Sequence, residues 1–506
     1  MESTWLGVRL REEFRRLGSA TAIYGVGTVL TRMTGLLTLP LFTRLLTPAD
    51  YGAVAMLSLI SMVATPIFGV GIGVALGIVY SQQSSEADRV RVARVATTIS
   101  VITAATFLVI GFALRDGLAV LLVPEIPGTD LVTIAVVSTT VGILGIPLRG
   151  TIQLRGQAAA FAGIGFATAL LALATHLTLV VGLRMGVIGL MSGTIVAQAV
   201  GTLAAWRLAM RRTGLAWDTS VALSLLRLGL PMVPSFASVF VIGQVSRYVL
   251  RYTHGIDAVG IFSVGANIGM TLGLATGAFA SAWTPYFLAL RDRPDTSRLL
   301  FGRVTTYYVW ITGGMSLLYF FFAPTAMDVL VAEPYRQGYI AIGYAASAQF
   351  FTGLFGLLMP GPYFADDVKS VAITQGIAAV VAVCLAVILI PPLGLIGACV
   401  ATATAGLALC VTQAAWNWKM RHRYLTIHYE TGRLTVFGLA YVGAVLLFSA
   451  RPWIHAIPDV VAGLSATVAL AVLITVLTSA SERRVAFYIA RGRYRSLRQL
   501  RSIVRY

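Results

Sequence analysis

Residues 371–416 read VAITQGIAAVVAVCLAVILIPPLGLIGACVATATAGLALCVTQAAW and contain no charged side chain. A helix needs about 20 apolar residues to cross the ~30 Å hydrocarbon core of a bilayer, so this stretch is long enough for two crossings. Pro391 and Pro392 interrupt it near the middle, and two consecutive prolines cannot continue a helix cleanly. We therefore predict two spans, 371–390 and 393–416, joined by a tight hairpin.

Similar apolar runs recur along the whole chain of 506 residues, of which 57% are apolar and 11% charged. An average soluble domain has about 25% charged residues, so this composition excludes a soluble protein. The runs are continuous rather than alternating, which predicts helices. We predict an all-α integral membrane protein with about 14 transmembrane helices, at residues 19–42, 53–80, 95–114, 131–148, 158–178, 185–206, 225–246, 258–288, 304–323, 339–363, 371–390, 393–416, 434–450 and 459–478.

The charged residues predict how these helices are oriented. With the N-terminus in the cytoplasm, the cytoplasmic segments hold 30 basic residues and the outer segments hold 7, while Arg32 lies within a span. Cytoplasmic loops carry such an excess in multi-pass proteins, so both termini are expected in the cytoplasm. The net charge of +18 is therefore explained by basic loops beside the membrane, and it does not indicate nucleic-acid binding.

A short internal repeat predicts two lobes. LTPADYGA at 46–53 and HGIDAVGI at 254–261 align Gly52 with Gly260, with six predicted spans between them. An even number of spans keeps the orientation of a repeat, so the two lobes are related by an axis along the membrane normal. The predicted organisation is an amphipathic N-terminus at 1–18, an N-lobe at 19–224, a C-lobe at 225–416, a helix pair at 417–480 and a basic, lipid-binding tail at 481–506.

Several motifs resemble those of one transporter family. TRMTGLL at 31–37, running into LFTRLLTPADYG at 41–52, resembles the opening signature of the Wzx-type polysaccharide flippases of the multidrug/oligosaccharidyl-lipid/polysaccharide (MOP) superfamily. Later motifs follow in the family's order, and the resemblance covers residues 19–416: LRGQ at 154–157, RLGLPMVPS at 227–235, VGIFS at 259–263 and AWTPYF at 282–287. The chain departs from the family pattern at Asp366-Asp367, where basic residues are more common.

The resemblance implies both a fold and a function. The fold would be two six-helix lobes forming a V around a central cavity, like that of the MATE transporters, with a C-terminal helix pair. The function would be alternating-access export of undecaprenyl-pyrophosphate-linked oligosaccharides to the outer leaflet of a bacterial inner membrane, for O-antigen, capsule or exopolysaccharide. The implied partners are this lipid-linked glycan, membrane lipids, a polysaccharide polymerase with its assembly proteins, and a coupling ion such as H⁺ or Na⁺.

Arg32 is the first candidate for binding the phosphates of such a substrate. It lies about midway along span 19–42, which contains no carboxylate. An arginine at this depth costs at least ~2.5–3.5 kcal/mol and normally faces protein or water. Its planar guanidinium matches phosphate oxygens in a bidentate manner. The alternative is a structural arginine that donates to backbone carbonyls of a neighbouring helix.

Arg247 and Arg251 are four residues apart, so they share a helix face if span seven continues through them. They would form a second positive station near the outer end of that span. Alternatively, they extend to the interface beside Tyr248 and Tyr252.

Four more residues complete the predicted substrate site. Arg149 and Arg155 flank the cytoplasmic end of span four and could meet the incoming pyrophosphate, although ordinary cytoplasmic loop charge also explains them. Gln244 and Asn267 lie in spans and could bind sugars, or could instead hold helices together.

Two other functions are weighed against export of a lipid-linked glycan. A cation-coupled multidrug antiporter of the same fold would need a carboxylate inside the bundle, whereas all 20 acidic residues fall in loops or at span ends. A membrane glycosyltransferase or polymerase would need paired carboxylates or a large extramembrane loop. No nucleotide-binding loop or Cys/His metal motif occurs, so we predict a transporter without cofactor or metal, and with Cys384, Cys399 and Cys410 as small buried residues.

Overall fold

The computed structural model describes residues 38–124, 128–210, 214–288, 290–291 and 294–449. Every regular element within these ranges is a helix, and residues 38–45 are helical just before the first complete one. The helices are α1 Pro48–Gly69, α2 Ile72–Ser81, α3 Glu86–Ala113, α4 Arg115–Leu122, α5 Thr129–Leu154, α6 Ala158–His176, α7 Gly186–Ala209, α8 Thr219–Gly229, α9 Val233–Gly269, α10 Gly273–Leu288, α11 Pro294–Leu330, α12 Tyr339–Leu357, α13 Pro360–Phe364, α14 Val368–Lys419 and α15 Thr431–Ser449.

Nine helical stretches in the described part of the chain are long and apolar enough to cross a membrane. The prediction of an all-α membrane protein is therefore confirmed. The number fourteen stays a prediction, because residues 19–37 and the span at 459–478 lie outside the described residues. The amphipathic N-terminus at 1–18 and the basic tail at 481–506 lie outside them as well.

The stretch 371–416 forms the expected hairpin within α14. Its backbone breaks at Gly394, where φ is 55° and ψ is −125°. The Thr374 hydroxyl donates to the Gln413 side-chain oxygen at 2.6 Å, and the Thr412 hydroxyl donates to the Thr374 carbonyl at 3.3 Å, so the two arms lie side by side. The turn lies at Gly394, after Pro391 and Pro392, because a positive φ strongly favours glycine.

A second hairpin lies within α9. Gly255 has φ 84° and ψ 177° inside an otherwise helical stretch. The Arg247 guanidinium carbon lies 5.9 Å from the centre of the Phe262 ring, which places the two arms against each other. Span seven thus continues as a helix beyond the predicted end at residue 246, because its arginines are packed against protein rather than placed in a solvated loop.

The two lobes meet at the repeated glycines. A Cβ added at Gly52 would collide with the carbonyl oxygen of Ile256, and a Cβ added at Gly260 would collide with that of Pro48. Pro48 and Ile256 are separated by 208 residues, as are Gly52 and Gly260. Each contact is therefore the image of the other, as a two-fold axis between the repeats requires. This axis relates the two segments that the sequence predicts to be a repeat, 46–53 and 254–261.

Further contacts join the lobes at the same end of the molecule. The Tyr335 hydroxyl donates to the Leu46 carbonyl at 2.8 Å, and the Ala332 amide donates to the Thr43 hydroxyl at 3.2 Å. In α9 the buried residues begin only at Gln244, so the helix has no buried position between residues 233 and 243. The contact of α9 with its neighbours is therefore concentrated toward the predicted outer end.

Asp366 and Asp367 hold loops of the C-lobe together. The Arg291 guanidinium donates to the Asp366 carboxylate at 2.8 Å. The Asp367 carboxylate caps α14 by accepting from the Ser370 amide, and it also accepts from the Tyr424 hydroxyl at 2.7 Å. Burial raises the pKa of Tyr424, so its hydroxyl remains a donor at neutral pH. The departure from the family pattern at this loop therefore has a structural role.

The cysteines are free thiols. Cys399 and Cys410 are buried as predicted, but Cys384 is exposed on α14. The prediction of a buried residue is therefore wrong for Cys384. An exposed apolar side chain is compatible with a spanning helix, because the outer surface of such a helix contacts lipid rather than water.

We predict that Tyr441→Phe destabilises the protein by about 1 kcal/mol, the net value of a typical hydrogen bond. The buried Tyr441 hydroxyl bonds to the hydroxyls of Ser316 at 2.9 Å and Ser347 at 2.6 Å, and so attaches α15 to the C-lobe. Thermal unfolding of the purified protein in detergent measures the loss. Tyr363→Phe is the matched control because the Tyr363 side chain is exposed, and an equal loss in both variants would contradict the prediction.

Candidate functional site

Gln244, Arg247 and Arg251 lie on successive turns of one face of α9, as their spacing predicts. All three side chains are buried, with exposed fractions of 8%, 5% and 6%. The Gln244 side-chain oxygen accepts a hydrogen bond from Arg247 Nη1. The Phe262 ring lies under the same guanidinium and contributes a cation–π contact. The structure thus brings together three of the seven predicted site residues.

The charge of Arg247 is not neutralised by any carboxylate in the described part of the chain. Its hydrogen-bonding partner is the neutral Gln244, and its buried Nε has no partner among the described atoms. A guanidinium stays protonated at neutral pH, so Arg247 is a buried cation without a carboxylate partner among the described residues. Such a group is costly unless an anion joins it.

Arg251 connects the two lobes. Its Nε donates to the Leu122 carbonyl at 3.4 Å, and the neighbouring Tyr252 hydroxyl donates to the Leu121 carbonyl at 3.0 Å. Leu121 and Leu122 are the last residues of α4, where unpaired helix carbonyls carry a partial negative charge. Neither Arg247 nor Arg251 reaches the molecular surface, so they do not form the interfacial pair that was the alternative interpretation.

The remaining described candidates lie elsewhere. Arg155 Nη1 donates to the Ala209 carbonyl at 3.0 Å and so satisfies the C-terminal end of α7. Arg149 lines a cavity within the N-lobe, between α5, α6 and α7. Asn267 is exposed on the second arm of α9 and makes no side-chain hydrogen bond within the described ranges. Arg32 lies outside the described residues, and its role stays a prediction.

Sequence reasoning missed the residues that fix the position of Arg247. Phe262 reaches it only because α9 turns at Gly255. The neighbouring Ser246 is buried and accepts a hydrogen bond from the Thr402 hydroxyl of α14 at 3.1 Å. The glycine at position 255 is the one local signal that could have indicated the hairpin.

An apolar cavity of about 530 Å³ lies in the C-lobe between α11, α12, α14 and α15. Its lining includes Phe350, Phe351, Leu354, Leu407 and Val442. No group of three His, Cys, Asp or Glu side chains that could hold a metal ion is found among the residues that the structure describes.

A family model described as "Polysaccharide biosynthesis protein" matches residues 41–338, which is more than half of the sequence. The chain belongs to this family. The matched region contains Gln244, Arg247 and Arg251. Comparison with curated protein sequences finds no significant match.

Solved structures of MOP-superfamily transporters share the fold. The lipid II flippase MurJ in an inward closed conformation gives a TM-score of 0.69 at 11% identity, over 90% of this chain and 98% of MurJ. A multidrug resistance MATE transporter in an inward-facing conformation gives 0.62 at 17% identity, over 78% of this chain and 96% of that one. An outward-facing MATE transporter gives 0.55 at 16% identity, over 80% and 95%. The protein is therefore a multi-pass membrane protein with a transporter fold.

Proposed function

We propose that this protein exports a prenyl-pyrophosphate-linked oligosaccharide, of the undecaprenyl type, from the cytoplasmic to the outer leaflet of a bacterial inner membrane. The buried guanidinium of Arg247 carries the proposal, because among the described residues it has no carboxylate partner and a buried cation favours an anionic ligand. Membership of a polysaccharide biosynthesis family supports a glycan on that ligand. Alternating access between the two lobes supplies the transport step.

Arg247 would bind the pyrophosphate. A guanidinium fork donates two parallel hydrogen bonds to phosphate oxygens, and the unpartnered Nε together with the remaining Nη atoms is available for them. Arg251 lies one turn away and would add a second positive charge. Its contact with the α4 carbonyls holds the lobes together, so phosphate binding there would compete with this contact. Arrival of the anion would in this way favour separation of the lobes at the outer end.

The prenyl tail needs an apolar surface throughout the transport cycle. The apolar cavity in the C-lobe has the chemistry for a segment of such a tail. Gln244 and Asn267 would bond to sugars in the space between the lobes, and Arg32 would extend the positive pathway along span one. The polysaccharide polymerase, the assembly proteins and the coupling ion, H⁺ or Na⁺, belong to the same proposal.

Deletion of the gene in the source organism is expected to cause accumulation of a prenyl-pyrophosphate glycan on the cytoplasmic face. Lipid extraction and mass spectrometry detect the glycan lipid, and glycosidase access in sealed vesicles reports its side of the membrane. Re-expression of the wild-type protein is expected to remove it. Normal glycan lipids combined with altered drug sensitivity would contradict the proposal and favour the multidrug antiporter.

A further inference from the structure

The N-lobe contains a cavity that is separate from the arginines of α9. It has a volume of about 330 Å³ and lies between α5, α6 and α7, and we call it the N-lobe cavity. Most of its wall is apolar, including Ile152, Phe161 and Ala172, while Arg149 and Gln198 contribute polar groups. Ligand pockets commonly have volumes of about 300–1,000 Å³ and this kind of lining, apolar with a few placed polar groups.

Two side chains in the wall of the N-lobe cavity have hydrogen-bond donors that no described residue accepts. The Arg149 guanidinium makes no hydrogen bond or ion pair with any residue that the structure describes. The Gln198 oxygen accepts from the Ser138 hydroxyl at 3.1 Å, which leaves the donors of its amide group unused within the same ranges. The Thr168 and Thr194 hydroxyls in the cavity wall donate to carbonyls of their own helices, whereas the Thr202 hydroxyl, which lies behind the wall on α7, is buried without a partner among the described residues.

Backbone geometry brings two of these unused donors together. A Cβ at Gly145 would lie 3.2 Å from the Thr202 hydroxyl and 3.7 Å from the Arg149 guanidinium carbon. Gln198 is one turn away from Thr202 on α7. The Arg149 cation and the unused amide donors of Gln198, both in the cavity wall, suit an anion that only accepts hydrogen bonds, such as a phosphate.

The rest of the N-lobe cavity suits an apolar chain. The His176 ring and the Thr194 hydroxyl are hydrogen-bonded to each other at 3.0 Å, so Thr194 offers the cavity little free polar capacity. Helix α6 forms one wall, and only Ala158 and Ala169 of this helix are buried, so the wall belongs to the outer surface of the lobe. A Cβ at Gly165, which lines the cavity, would meet no atom within 4 Å.

We propose that the N-lobe cavity binds an anionic phospholipid of the surrounding membrane, with the lipid phosphate on Arg149 and Gln198 and one acyl chain along the apolar wall. Arg149 lies at the predicted cytoplasmic end of its span, where anionic headgroups of the inner leaflet are found. This site goes beyond the proposed export function, because it lies within one lobe and uses none of the α9 residues.

Native mass spectrometry of the full-length protein in detergent, titrated with dioleoylphosphatidylglycerol, tests the site. The wild type is expected to retain one lipid molecule. Arg149→Gln is expected to weaken this binding about 10-fold or more, the value of a charge-assisted hydrogen bond. Gly165→Leu is expected to displace the acyl chain by filling the cavity. Gly163→Leu is the matched control, because Gly163 is on the same helix, is exposed, and has no atom within 4 Å of its added Cβ.

Four results would overturn the proposal. Equal retention of dioleoylphosphatidylcholine would show that Arg149 selects no anionic lipid. Equal effects of the Gly163 and Gly165 substitutions would show that the chain does not occupy the cavity. Heat stabilisation by inorganic phosphate equal to that by the lipid, or displacement of the lipid by equimolar undecaprenyl phosphate, would assign the site to a small anion or to the transported lipid. Glycan lipid accumulation after gene deletion is a separate result that none of these outcomes affects.

Discussion

Arg247→Gln is expected to reduce export of the glycan lipid on the order of 100-fold, while the protein unfolds at the same temperature as the wild type or a higher one. Truncation of one partner in a buried, charge-assisted contact costs about 2–5 kcal/mol of binding, which corresponds to this loss. Stability is expected to behave differently, because the substitution removes a buried charge that no carboxylate of the described residues neutralises. Accumulated glycan lipid in complemented deletion cells measures the first effect, and thermal unfolding in detergent measures the second.

Two further variants test whether the effect is specific to the guanidinium of Arg247. Arg247→Lys keeps the positive charge but loses the planar fork, so export is expected to fall less than in Arg247→Gln. Arg207→Gln removes an exposed arginine of α7 and is expected to leave export unchanged. A parallel fall of export and stability in Arg247→Gln would show that Arg247 is a structural residue, and the proposed phosphate contact would then be wrong.

Local sequence predicts much of the fold because the bilayer imposes the length and polarity of each helix. The uncharged run at 371–416 contains two crossings and two prolines, so a hairpin is the natural solution. The spacing of Arg247 and Arg251 predicts their common face. The 208-residue offset of Gly52 and Gly260 predicts a repeat, which the structure locates at the contact between the lobes.

The partners of these residues could not be predicted, because they are distant in sequence. Arg251 contacts Leu122, which is 129 residues away, and Asp366 contacts Arg291, which is 75 residues away. The charge at Arg247 suggested a solvated loop, whereas the turn at Gly255 folds Phe262 against it and extends the helix. Burial of a cation depends on such tertiary contacts. A prediction from local composition therefore ended span seven at residue 246, although the helix continues beyond it.

Gly260→Ala is expected to shift the protein toward a conformation in which the lobes part at the predicted outer end. The added Cβ would collide with the Pro48 carbonyl oxygen and lie 3.0 Å from the Gly52 amide nitrogen. Both obstacles are backbone atoms, so no side-chain rotation relieves the collision. Overpacking costs typically 1–3 kcal/mol. If the whole cost falls on the conformation in which the lobes touch at the outer end, the ratio of the two conformations changes about 5- to 150-fold.

Distances between spin labels at positions 82 and 369 measure this shift in a variant without native cysteines. Both positions are exposed, and they lie at the predicted cytoplasmic ends of the N-lobe and the C-lobe. Since separation at one end of two rigid lobes closes the other, Gly260→Ala is expected to shorten this distance. Gly243→Ala, in the first arm of the same helix, is the control because its added Cβ meets no atom within 4 Å. Identical distance distributions in the two variants would mean that the glycine contact does not hold the lobes in this conformation.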